Sequence, residues 1–187
     1  MSQFDFHSTS IPDLRVVERR PRQDTRGFFE RSFCQEAMSP VLHGKSIQQI
    51  NRTLSQQEGT VRGLHFQYPP YAEIKLVSCI RGEVFDIAVD LRAESPTFLE
   101  WHGEVLSQSN CRSMVIPEGF AHGFQTLTDD CEMLYLHTAA YRPESQGVIN
   151  AIDPRLSIDW PRKMSNRSER DTRQAMLTDD FMGIRLA

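Results

Sequence analysis

The sequence is poor in the features that mark secreted, membrane-spanning and nucleic-acid-binding chains. Its four cysteines, Cys34, Cys79, Cys111 and Cys131, stand far apart with no C-x-x-C pair, so no disulfide framework is predicted. The six histidines, His7, His43, His65, His102, His122 and His137, never gather into a compact ligand cluster, which argues against structural zinc. No apolar run approaches the ~20 residues a membrane helix needs. The first residues, Met1 to Asp5, carry neither the basic nor the apolar region of a signal peptide, so the expectation is a cytoplasmic protein with reduced thiols. Neither sign of charge dominates: a net charge of −4 argues against nucleic-acid binding by bulk charge and leaves room for a local basic pocket around one phosphorylated small molecule. Repeats, linkers and low-complexity tracts are also missing. A length of 187 residues that are 39% hydrophobic and 25% charged therefore predicts one globular domain over residues 1–187 with a sizeable core.

What is present is a series of short alternating runs separated by turn residues. Asp24-Thr25-Arg26-Gly27 reads as a turn into the aromatic segment Phe28-Phe29, and Ile47 to Asn51 is a short strand-like run on which Gln49 and Asn51 face the same way. A strand around His65 is followed by the Pro69-Pro70 break and a run from Lys75 to Ile80. Arg81-Gly82 is read as a hairpin turn into Glu83 to Leu91. In that run Phe85, Ile87, Val89 and Leu91 share one face and Asp86, Ala88 and Asp90 the other, so Asp86 lines a wet cavity or sits on a solvent face. Strands over Phe98 to Leu106, Arg112 to Ile116 and Glu132 to His137 follow, the last placing Met133, Tyr135 and His137 on one face. Ser168-Glu169-Arg170-Asp171 carries a capping signature for a short helix outside the β body. The prediction is an all-β jelly-roll barrel with a short C-terminal helical segment.

The chemistry concentrates in Arg62-Gly63-Leu64-His65-Phe66-Gln67 and in Lys75, ten residues after the histidine. Strict alternation would put Arg62 and Leu64 on one face and His65 and Gln67 on the other. A second segment, Pro117-Glu118-Gly119-Phe120-Ala121-His122, adds another histidine after a glycine turn, and together these suggest a cupin. A metal cupin would carry an H-x-H pair; here the pair is His65-x-Gln67, and glutamine is a poor transition-metal ligand, so no catalytic metal is expected.

These motifs, with Asp24-x-Arg26-Gly27-x-Phe29, Lys75-Leu76-Val77, Val89-Asp90-Leu91-Arg92, Ser95-Pro96-Thr97, Gly123-Phe124 and Tyr135, closely resemble the dTDP-4-dehydrorhamnose 3,5-epimerase family over roughly residues 10 to 175. The resemblance implies a cofactor-independent jelly-roll homodimer that acts on a nucleotide-linked 4-keto-6-deoxy sugar. It assigns His65 as base, Asp171 as its partner, Tyr135 as acid and Lys75 as the cation beside the enolate. Arg26, Phe29, Gln49, Asn51, Arg62, His122, Tyr141 and Arg170 match substrate-binding positions. Asp86 stays open as a rival partner for His65. Arg31, Ala140 and Gln146 depart from the family pattern, all in the nucleotide or sugar pocket. An epimerase acting at one carbon or on another nucleotide, and a non-catalytic sugar-nucleotide-binding cupin, remain alternatives.

Overall fold

A computed structural model describes residues 3–186. In chain order its strands are β1 (Phe4–Ser8), β2 (Arg15–Arg19), β3 (Arg22–Asp24), β4 (Gly27–Phe29), β5 (Gln49–Ser55), β6 (Val61–Gln67), β7 (Lys75–Arg81), β8 (Glu83–Asp90), β9 (Trp101–Ser107), β10 (Arg112–Ile116), β11 (Phe120–Thr126), β12 (Cys131–His137) and β13 (Gln146–Val148). The helices are α1 (Gln35–Leu42) and α2 (Glu169–Arg173). Two antiparallel sheets, ordered β1-β2-β10-β7-β12-β5 and β13-β6-β11-β8-β9, face each other as a cupin-type jelly roll, and β3-β4 form a separate ribbon. Among the described residues no helix is long and apolar enough to cross a membrane.

Three apolar clusters build the molecule. Between the sheets, Val77, Cys79, Val84, Ala88, Met114, Ile116, Phe124 and Met133 fill one end of the sandwich. Outside the five-stranded sheet, Leu64, Phe66, Ile87, Val89 and Ala121 pack under the C-terminal segment through Ile149, Ala151, Leu156 and Ile184. Outside the six-stranded sheet, Val17, Leu76, Val115 and Leu136 pack under Met38 and Leu42 of α1. The central strands β7, β8, β10 and β11 are thus covered on both faces.

Several expectations are corrected. Arg81-Gly82 is not a hairpin turn: β7 already bonds β10 on one edge and β12 on the other, so the chain has to cross to the facing sheet to start β8. Gly82 makes that crossing at φ +76, where a Cβ would lie 2.8 Å from the Cys131 sulfur, and both facts favour glycine. The Phe98 to Leu106 strand starts later, at Trp101, after the turn in which Phe98 N–H donates to the Ser95 carbonyl. Asp86 is neither solvated nor in a wet cavity; it is 0% exposed and points into the sandwich, because the apolar face of β8 is the one covered from outside. Helix α1 had no counterpart in the sequence reading: it is short, and Pro40 lies inside it, a residue that reads as a breaker.

Candidate active site

The end of the sandwich that the inter-sheet core leaves unfilled is a cavity of about 440 Å³. The six-stranded sheet contributes Asn51 and Thr53 from β5, Lys75 from β7, and Tyr135 and His137 from β12; the five-stranded sheet contributes Arg62 and His65 from β6 and His122 from β11. Asn166 to Asp171 close one side.

Arg62 shares this cavity with His65, against the expectation from strict alternation. His65 pairs with His122 and Arg62 with Phe124, so β6 uses three steps where β11 uses two. One extra residue in a strand is a bulge, and it reverses the facing of everything beyond it. Gly63 sits at that bulge with φ +124, and a Cβ there would come within 2.6 Å of the Gly123 Cα.

His65 Nε2 lies 2.8 Å from Asp171 Oδ1. The Asp171 carboxyl is 2% exposed; burial acts against its charge, but the His65 bond, a Ser168 contact and the Gly63 N–H hold its pKa down to about 2. An ionised carboxylate only accepts, so Nε2 donates its proton to Asp171, the Arg170 Nη2 2.9 Å from the same nitrogen then making no hydrogen bond to it, and Nδ1 is left as the basic atom. For His65, burial is the strongest influence, and with the charges of Arg170 and Lys75 it outweighs Asp171 and lowers the pKa. The imidazole therefore rests neutral at physiological pH. Asp86 is engaged elsewhere: its Oδ1 lies 2.8 Å from His122 Nε2.

The other expected residues take four kinds of position. Lys75 is 7% exposed and donates to the His65 carbonyl at 3.0 Å. Tyr135 stacks parallel to His137 and edge-on to His122; its hydroxyl lies 3.3 Å from Thr53 Oγ1, and burial raises its pKa well above the ordinary value, keeping the phenol protonated. At the mouth, Arg170 donates to Gln146 Oε1 at 2.9 Å and Tyr141 donates to the same oxygen at 2.7 Å. Gln49 stands one layer back, donating to Asn51 Oδ1 and accepting from the Tyr141 N–H. Arg26 and Phe29 do not reach this chain's cavity: the ribbon that carries them bonds neither sheet. The Arg26 side chain is 88% exposed against Asp24, and Phe29 is 65% exposed.

Sequence reasoning missed Thr53, Glu73, His137 and Arg167 as cavity-lining residues. For Thr53 a usable signal was present, since it alternates with Gln49 and Asn51 on β5. Gln67, the position that would complete a metal pair, is committed to backbone: its amide donates to the Tyr71 and Ala140 carbonyls and its oxygen accepts from the Arg142 N–H. Among the described residues no group of three or more His, Cys, Asp or Glu side chains is arranged around a common metal position.

A base held by a carboxylate, a buried ammonium and a protonated phenol on the facing sheet suit proton abstraction beside a carbonyl. Residues 8–179 match the model of the dTDP-4-dehydrorhamnose 3,5-epimerase family. The chain belongs to that family. Among its relatives, a dTDP-4-dehydrorhamnose 3,5-epimerase of Sinorhizobium fredii is 40% identical over 96% of this chain and 92% of the relative. One of Pseudomonas aeruginosa is 48% identical over 81% of this chain and 83% of the relative. Among solved structures, the dTDP-6-deoxy-D-glucose-3,5-epimerase of Legionella pneumophila in complex with dTDP-4-keto-L-rhamnose superposes with a TM-score of 0.91. It is 38% identical and the match covers 98% of this chain and 99% of that one. The family membership spans both sheets and the C-terminal segment that carries Asp171.

Proposed function

We propose that the protein is a dTDP-4-dehydrorhamnose 3,5-epimerase, inverting C3 and C5 of dTDP-4-dehydro-6-deoxyglucose through enolates. The observation that carries this reading is the division of the cavity: His65 stands on the five-stranded sheet and Tyr135 on the six-stranded sheet. Inversion needs a proton removed from one face of the carbon and returned on the other, and facing walls meet that need. His65 Nδ1 takes the proton beside the ketone, and Asp171 stabilises the imidazolium that forms. Lys75 faces the developing oxyanion where water is excluded and charge interactions are strong. Tyr135 then protonates the far face. Arg62, Arg167 and Arg170 give the cavity mouth the cations a diphosphate requires. Asn51 and His122 address the sugar, with Gln49 buttressing Asn51, and Tyr141 offers a ring to the base.

The test is incubation with dTDP-4-dehydro-6-deoxyglucose in D2O with a chelator present. Deuterium is expected at both C3 and C5, with turnover unaffected by the chelator because Lys75 rather than a Lewis acid meets the negative charge. Deuterium at one carbon only would assign a mono-epimerase; binding without exchange would assign a non-catalytic cupin.

We further propose a homodimer, supported by the apolar side chains that one chain leaves exposed: Phe28 at 63%, Phe29 at 65%, Ile50 at 62% and Leu54 at 46%. In this reading the β3-β4 ribbon serves the partner's cavity, which reconciles the sequence match of Arg26 and Phe29 with their distance from their own. Sedimentation is expected to give twice the chain mass, and Arg26→Ala to raise KM about ten-fold with kcat little changed. A monomer with full activity overturns this arrangement. The four unpaired thiols support a reducing, cytoplasmic setting.

A further inference from the structure

Lys75 is held by Glu73 and Glu73 by His137, two side chains to which the mechanism above gives no part. Glu73 lies just before β7, two residues from Lys75, so both point into the cavity. Its Oε1 is 3.4 Å from Lys75 Nζ and its Oε2 is 2.9 Å from His137 Nδ1. All three side chains are enclosed, at 7% exposure for Glu73, 9% for Lys75 and 12% for His137. The Asn51 amide, 3.3 Å from His137 Nε2, donates to that nitrogen, which leaves the ring proton on Nδ1 to be donated to Glu73.

We propose that Glu73 and His137 are positioning residues for Lys75: the carboxylate clamps the ammonium from a second side, and His137 orients the carboxylate. The inference rests on the epimerase reading, in which Lys75 meets the enolate oxygen. A lysine side chain has a flexible four-carbon stem, and its single bond to the His65 carbonyl does not fix where the remaining N–H groups point. A second anchor does. Two carboxylates line the cavity, Asp171 and Glu73; Asp171 is taken by His65, and Asp86, buried behind the cavity wall, is taken by His122. Glu73 is the one whose oxygen reaches Lys75.

The clamp also acts on charge. The titratable groups around Lys75 are Glu73 ahead of its own strand, Tyr135 and His137 on β12, His65 on β6, Asp86 on β8 and His122 on β11. Burial favours the neutral amine and dominates, lowering the Lys75 pKa; Glu73 is the first opposing influence and Asp86 a weaker one. Removing the Glu73 charge therefore lowers the Lys75 pKa further, and the basic limb of the kcat–pH profile moves to lower pH.

The experiment compares wild type, Glu73→Gln and His137→Phe by turnover and deuterium entry from neutral to alkaline pH, with thermal unfolding recorded for each. Glu73→Gln is expected to lose kcat about ten-fold at neutral pH with KM within about two-fold, and to shift its basic limb down by about one pH unit. His137→Phe keeps a ring against Tyr135 but not the Nδ1 proton, and is expected to show the same change in smaller measure; it carries the test if Glu73→Gln does not fold. Wild-type kcat and an unmoved limb in the folded variants overturn the proposal, as does failure of both to fold, which would make the pair structural. A wild type that exchanges no deuterium overturns the epimerase reading instead.

Discussion

His65→Ala is expected to stop deuterium entry at every position of the sugar, whereas Tyr135→Phe keeps exchange and loses most of the inverted product. The difference follows from what each group does. Removing the base leaves no acceptor for the proton, and general-base catalysis of this kind contributes about 10²- to 10⁴-fold. Tyr135→Phe removes only the hydroxyl that contacts Thr53; the ring that stacks on His137 and meets His122 stays. Proton abstraction by His65 continues, and solvent deuterium returns on the same face. Stability should change by no more than about 1 kcal/mol, the worth of one hydrogen bond. The measurement is NMR of the sugar in D2O beside product analysis. Equal loss of exchange in both variants would show that Tyr135 is not a dedicated acid.

Asp171→Asn is expected to lower kcat by about 10²-fold or more with KM nearly unchanged. An amide holds the ring with a weaker bond and gives the imidazolium no counter-charge. The pH profile supplies a second, signed readout. Asp171 opposes the burial, Arg170 and Lys75 influences that lower the His65 pKa, so without its charge His65 titrates lower still. The acid limb of kcat/KM should therefore move to more acidic pH even as the rate falls. The rival account makes Asp171 only a residue in the first turn of α2. That account predicts a loss of stability with kcat intact, yet the capping bond is made by the Asp171 backbone N–H to Ser168 Oγ at 3.1 Å, and it survives the substitution. Thermal unfolding within a few degrees of wild type beside a large kcat loss supports the positioning role; the reverse pattern sinks it.

The legible parts of this protein are those where a local rule suffices. Alternation and turn residues read out the strands around His65, Lys75, Asp86, Met114 and Tyr135, because a strand's side-chain period is two wherever it lies. Ser168 and Asp171 announced α2, since capping needs only four consecutive residues. Motif spacing carried the family resemblance, and with it His65, Tyr135 and Lys75, which the structure brings to one cavity.

Alternation says which side chains share a face and leaves open which face is inside. For β8 that choice was made by the C-terminal segment, whose Ile149, Leu156 and Ile184 cover Ile87 and Val89 from outside and so turn Asp86 inward beneath His122. The bulge at Gly63 exists only because β11 lies alongside β6, and it alone brings Arg62 round to His65. The His65–Asp171 and Glu73–His137 contacts join residues 106 and 64 positions apart, distances at which no local pattern operates. The sequence by itself determined the strands around His65, Lys75, Asp86, Met114 and Tyr135, the alternation along them and the kinds of chemical group available. The tertiary structure decided the pairing of those groups, because a carboxylate's partner is set by which strands become neighbours across two sheets.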